Sequence, residues 1–134
     1  MKRVAYKRVG EPLQIESTDF RYQYQYADKI LGEAVTKYNQ RIDDNGFLLV
    51  VDDDGWAKNL TLNFYLPGKK NQVMPIKGDV AFIRVRKPDM FENIYDYDII
   101  DLTETDIAFL QYLLSNETQE AITKAIESSR KEGE

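Results

Sequence analysis

Two residue types are missing from this chain of 134 residues, cysteine and histidine. Their absence excludes disulfides, thiolate nucleophiles, Cys/His zinc sites, haem ligation through either side chain, and every catalytic triad built on an imidazole. Long apolar runs are missing as well. The longest, Phe47 to Val51, is far short of the roughly 18 residues a membrane helix needs. The basic start, Met1-Lys2-Arg3-Val4-Ala5-Tyr6-Lys7-Arg8, has no apolar segment behind it, so no secretory signal is expected. Zero cysteine suits a reducing compartment, and a cytoplasmic protein is the expectation. Neither G-x-G-x-x-G nor G-x-x-x-x-G-K-[ST] occurs, which removes the common phosphate-binding loops. Internal repeats and low-complexity tracts are also absent.

What is present fits one domain. The length allows about two-thirds of the unfolded surface to be buried, enough for a core without covalent staples. The formal charge is −5, which argues against nucleic acid or an anionic membrane as a default partner.

Hydrophobic patterning predicts a mixed fold. Val4-Ala5-Tyr6 and Leu13-Gln14-Ile15 are short strand candidates around the turn Gly10-Glu11-Pro12. Ser17, Thr18 and Asp19 offer a helix N-cap. Two periods then compete. Phe20, Tyr22, Tyr24 and Tyr26 alternate with polar residues as in a strand, while Phe20, Tyr24, Ala27, Leu31, Ala34, Val35 and Tyr38 form a helical stripe. The stripe is the longer pattern and predicts a helix over about residues 19–38. Phe47-Leu48-Leu49-Val50-Val51 predicts a strand, with Asp54-Gly55 as a hairpin turn and Trp56 to Leu66 as its return strand or an irregular hydrophobic segment. Pro67-Gly68-Lys69-Lys70-Asn71 is a loop, Val80 to Val85 a strong strand, and Tyr97 to Leu102 a last strand.

Thr103 and Asp106 then form a capping pattern before a helix with Ile107, Leu110, Leu113 and Leu114 as its buried stripe and Phe109 beside it. Ser115-Asn116 breaks it. A second helix follows, from Glu117 to Lys131, with Ala121, Ile122, Ala125 and Ile126 on one side. The expectation is an α+β fold: one domain over residues 1–128, with a mixed or mainly antiparallel sheet packed by a helix of the N-terminal half and two C-terminal helices. Residues 129–134 form a polar tail expected to fray.

Chemistry-bearing constellations are few. Asp52-Asp53-Asp54 invites a metal-loop reading, but placing Gly55 at the EF-hand glycine puts Val50 and Thr61 where carboxylates are required. Consecutive residues on an extended segment also point to opposite faces. A solvated turn accounts for the three aspartates. Ser17, Ser115, Ser128 and Ser129 lie at helix ends or in the tail, where capping and solvation explain them. Paired carboxylates stay open because their separation is set in three dimensions, and a metal-assisted enzyme is a fourth reading; the expectation is a protein without catalytic residues, metal or cofactor.

Tyrosine is abundant, with nine residues and Tyr22, Tyr24 and Tyr26 close together. Such rings serve either a core with hydroxyls at its rim or an interface, where they offer large contact area with few rotors. Trp56 has the same two readings. Charge is unevenly spread: Pro88 to Thr123 holds nine acids and no Lys or Arg, so that window is −9 and the remainder +4. A solvated surface explains part of this, with Glu104 and Asp106 well placed at a helix start. An acidic face meeting a basic groove on a partner is the functional alternative.

The order of short motifs resembles a family of small proteins of unknown function in phages and bacterial mobile elements, DUF3846. The matching stretches are Val50-Val51-Asp52-Asp53-Asp54-Gly55, Asn59-Leu60-Thr61-Leu62-Asn63, Ile76-Lys77-Gly78-Asp79 and Leu102-Thr103-Glu104-Thr105-Asp106-Ile107. They fall within about residues 4–114. The chain departs from the family at Val35-Thr36-Lys37, where Val-Gly-Gly is usual and where Asn39 is a candidate for the missing helix exit, and residues 88–96 look like an insertion. The resemblance brings no catalytic residues. It implies an accessory protein of a phage or mobile element.

Together these features predict a non-enzymatic protein that binds a host protein with a basic groove, for example a defence nuclease or nucleic-acid-binding factor, and inhibits it. The expected contact set is Asp89, Glu92, Tyr95, Asp96, Tyr97, Asp98 and Asp101. A second reading is a domain that sequesters or senses a small nucleotide-like ligand, with Lys77, Arg84 and Arg86 as anion contacts. A third is direct nucleic-acid binding through Lys69, Lys70, Lys77, Arg84, Arg86 and Lys87.

Overall fold

A computed structural model describes residues 1–55, 57–68, 72–86 and 97–132, without the side chains of 131 and 132. Eight strands and three helices follow one another as β1 (Lys2–Lys7), β2 (Gln14–Thr18), α1 (Gln23–Leu31), β3 (Lys37–Arg41), β4 (Phe47–Asp52), β5 (Leu62–Pro67), β6 (Val73–Lys77), β7 (Val80–Val85), β8 (Ile99–Ile100), α2 (Glu104–Leu113) and α3 (Asn116–Glu132). The main sheet runs β2-β1-β7-β4-β3. All its pairings are antiparallel. Strand β7 is central: β4 lies along one edge, while β1 pairs with its first half and β8 with its second half on the other. Strands β5 and β6 form a separate antiparallel hairpin. The fold is α+β, with one early helix and two C-terminal ones.

The continuous apolar runs in β4 and β7 have a direct cause. A strand covered on both faces needs no polar alternation. Phe47, Leu49, Val80 and Phe82 point to one side of the sheet, where Phe64, Leu66 and Ile76 of the β5–β6 hairpin and Leu110 and Leu113 of α2 meet them. Leu48, Val50, Ala81 and Ile83 point to the other, against Tyr26, Ala27 and Ile30 of α1. Three layers result, with α1 on one face and the hairpin with α2 on the other.

Several expectations need correction. The helix predicted over residues 19–38 is shorter. Tyr22 is extended and makes an isolated β-bridge with Asp98, so the helix does not begin until Gln23. The N-cap is Tyr22 rather than Ser17, Thr18 or Asp19, and Ser17 and Thr18 pair with β1 instead. The Gln25 side chain reaches back to accept the Tyr22 N–H at 2.9 Å. The helix stops at Gly32, whose φ of +100° suits a residue without a side chain, so Gly32 and not Asn39 provides the exit. Beyond it, Tyr38 pairs with Val51 in β3, a strand the helical stripe had concealed.

Asp54-Gly55 lies in a turn, yet no hairpin folds back on β4 there. Both edges of β4 are occupied, by β3 and β7, and the following chain pairs as β5 with β6. Trp56 lies outside the described residues. The last predicted strand contracts to Ile99–Ile100, because only Val85 and Arg84 remain available beside it.

The capping motif of α2 is present as expected. The Thr103 hydroxyl accepts the Asp106 N–H at 3.0 Å, and Asp106 accepts the Thr103 N–H at 2.9 Å. In α2, Leu110 and Leu113 are buried, and Ile107 and Leu114 pack against the same cluster. Phe109 is 39% exposed and meets Phe47 edge-on at 6.5 Å. Helix α3 differs from expectation: Ile122 and Ile126 are only half-buried, and Ala121 and Ala125 are exposed. It continues through Glu132, so the start of the predicted tail is helical. What docks it is Gln119. Its carbonyl accepts the Tyr65 N–H at 2.8 Å and its amide donates to the Tyr65 and Leu113 carbonyls, so the side chain stands in for a missing strand beside β5.

Candidate functional site

The expected contact set divides. Asp89, Glu92, Tyr95 and Asp96 lie outside the described residues, as do Lys69, Lys70 and Lys87. Tyr97, Asp98 and Asp101 are described, and the first two join a strip that the sequence does not place together. The chain at 97–99 lies between the end of β7 and the entry to α1. Gln23 donates its N–H to the Tyr97 carbonyl at 2.9 Å, Ile99 to Arg21 at 2.8 Å, and Arg86 to Asp98 at 2.9 Å. Backbone pairing therefore sets Tyr97 and Asp98 beside Arg21, Tyr22 and Gln23, and Tyr24 joins through its ring contact with Tyr22. Tyr22 and Tyr24 stack with centroids 5.9 Å apart and planes 10° from parallel, Arg21 covers the Tyr22 ring, and Tyr24 is 38% exposed.

The acidic residues of this region are largely matched by cations from other elements. Asp98 accepts from Arg21 at 3.2 Å and has Arg86 at 4.0 Å. Asp101 accepts the backbone N–H of Arg3 at 2.8 Å, and Glu104 pairs with the Arg3 guanidinium at 2.5 Å. The −9 window is thus spread over several environments, and its described members do not form one uncompensated face.

Asp106 is the most deeply engaged. Its carboxylate takes Arg84 bidentately at 2.6 and 2.7 Å, while the same guanidinium donates to Asp43 at 2.8 Å and to the Asn45 carbonyl at 3.0 Å. Burial alone would raise the Asp106 carboxyl, but hydrogen bonds from Arg84 and from the Thr103 backbone outweigh it and hold it below the ordinary 3.8. Arg84 is raised, chiefly by the Asp106 hydrogen bond, against burial. This cluster ties β7, the β3–β4 loop and the start of α2 together. Arg84, expected as an anion contact, is committed to two carboxylates. Lys77 lines a groove between the β5–β6 hairpin and α3, and Arg86 stands by Asp98, so the three expected cations occupy separate environments.

Sequence reasoning passed over Lys7. It shares the phase of buried Ala5 in β1, which was the available signal. Its ammonium donates to the Asn63 carbonyl oxygen at 2.6 Å, and the Asn63 amide is held by the carbonyls of Lys7 at 3.0 Å and Gly78 at 2.9 Å. Burial lowers the Lys7 ammonium from its ordinary value, against the attraction of Asp79. The residue borders a cleft of about 680 Å³ between the β1–β2 turn, the start of β5 and the α2–α3 junction.

Among the described residues, no group of three or more acidic side chains is placed to hold a metal ion, and no helix is long and apolar enough to cross a membrane. Compared with protein-family models, curated proteins and solved structures, the chain gives no match. The DUF3846 resemblance rests on the quoted residues.

Proposed function

We propose that this chain is a non-enzymatic accessory protein of a phage or mobile element, acting in the bacterial cytoplasm by binding and inhibiting a host protein. The proposed contact residues are Asp89, Glu92, Tyr95, Asp96, Tyr97, Asp98 and Asp101, joined by Tyr22 and Tyr24. The observation that supports this reading is the stacked, partly exposed Tyr22–Tyr24 pair, whose Tyr22 is bridged through its backbone to Asp98. Preordered aromatic rings lose little entropy on binding and are frequent hot spots. The family context and the acidic sequence of residues 88–101 suggest a partner with a basic groove, such as a nuclease or a nucleic-acid-binding factor, although Asp98 is already paired with Arg21 and Asp101 with the Arg3 backbone.

The test is capture from host lysate by the immobilised chain, followed by affinity measurement on the captured protein. Tyr24→Ala should weaken that complex by about 30-fold, the loss typical of an aromatic hot spot. Reversing Asp96 and Asp98 to lysine should also weaken it, and binding should fall steeply with salt. Unchanged affinity in both variants would refute the assignment. A nucleotide-like ligand held by Lys77, Arg84 and Arg86 is less well supported, since Arg84 already serves Asp43 and Asp106.

A further inference from the structure

Most partly buried cations here have a carboxylate. Arg8 has Asp79 at 2.8 Å, Lys37 has Asp28 at 2.6 Å, and Arg84 has two. Lys7 is different. Among the described residues no carboxylate lies within ion-pair distance of its ammonium, and its hydrogen-bond partner is the neutral amide of Asn63. That amide has no freedom to turn away, because both its N–H groups are spent on backbone carbonyls. Asp79, whose negative charge acts on Lys7 through space, already accepts from Arg8 and from the Val9 N–H. An ammonium has three N–H donors, Asn63 occupies one, and Lys7 is among the residues lining the cleft. Taking a cation partly out of water without a counter-charge is costly, and an anion entering the cleft would remove that cost.

The rest of the lining restricts the anion. Leu13, Ile15, Leu62 and Leu114 supply apolar wall, and Ile15 and Leu62 each remain 38% exposed. Gln111 and Asn116 add uncharged amides at one end. Glu11 also lines the cleft and is itself exposed, so one cation faces one rim carboxylate. A polyphosphate would meet too little positive charge here. A single carboxylate on an apolar body matches both the charge and the walls, and the volume lies within the usual range for small organic ligands.

We propose that the cleft bordered by Lys7, Asn63 and Leu114 binds a small organic monocarboxylate, with its carboxylate on the Lys7 ammonium and its apolar body against Leu13, Ile15 and Leu62. This site is independent of the tyrosine strip, and either can fail without the other.

Octanoate and 3-phenylpropionate serve as probes in calorimetric titration of the full chain, with octanol as the uncharged control. At least one acid should bind saturably, and octanol should bind at least about tenfold more weakly. Backbone amide shifts in NMR should move at Val9, Leu62 and Leu114. Lys7→Met keeps the aliphatic stem and should reduce affinity for the acid about tenfold. Glu11→Lys, at an exposed turn where folding is not at stake, should raise affinity by about threefold. Octanol binding as tightly as octanoate, saturable binding of neither acid, or Glu11→Lys leaving the affinity unchanged would each overturn the proposal.

Discussion

Replacing the buried Asp106 with alanine should be strongly destabilising. The substitution removes three hydrogen bonds at once, two from Arg84 and one from the Thr103 N–H. Both charges are well covered, with 6% of the Asp106 side chain and 12% of the Arg84 side chain exposed. Orphaning one member of a buried pair costs about 3–5 kcal/mol, but Arg84 keeps Asp43 and the Asn45 carbonyl, so about 2 kcal/mol is the better figure. Losing half of the capping box adds about 1 kcal/mol. The total of about 3 kcal/mol should lower Tm by about 10 °C for a chain of this length, read by calorimetry or by urea melts at constant m.

Asp43→Ala provides the internal control. Its side chain is 37% exposed, so its pair with Arg84 is screened, but it also accepts the N–H groups of Asn45 and Phe47, so the loss should be about 1–2 kcal/mol, still below that of Asp106→Ala. Pairing Asp106→Ala with Arg84→Met should cost less than the two separate losses together, since no buried charge is then orphaned. The pH dependence has a defined sign. The folded Asp106 carboxyl is held below 3.8, so its contribution is complete above that value and is lost as pH falls through the folded one. The deficit of Asp106→Ala should therefore be level from about pH 5 to 8 and shrink below about pH 4. A deficit no larger than that of Asp43→Ala, or one that grows in acid, would refute the claim that this pair anchors α2.

Gly46→Ala should destabilise by at least about 2 kcal/mol in urea melts, because φ there is +97° and the new Cβ would run into the Val85 carbonyl oxygen. Gln119→Ala should leave β4 and β7 protected while amide exchange in α3 accelerates, with a global loss of about 1–2 kcal/mol. Unchanged exchange in α3 would show that Ile122 and Ile126 hold the helix without Gln119.

Local chemistry was enough to announce β4, β7 and the start of α2. A run such as Val80 to Val85 has one stable use in a small domain, a strand buried on both faces, and Thr103 with Asp106 closes a cap within four residues. The same local reading failed at Tyr38. Its place on a helical stripe was real, but the left-handed Gly32 and pairing with Val51 outweighed it, and neither the energy of a sheet edge nor its neighbour can be read from a periodic pattern. The Asp-Gly turn failed for a similar reason: it permits a hairpin, but both edges of β4 were already taken.

Composition by itself determined that disulfide, thiolate and imidazole chemistry are excluded, because no arrangement can supply missing atoms. The order of residues also located the acidic window. Only the tertiary structure decided what those charges do. Arg3, Arg21 and Arg84, each distant along the chain, reach Glu104, Asp98 and Asp106, whereas Lys7 meets an amide. Coulombic pairing depends on separation in space, and the fold alone sets that separation.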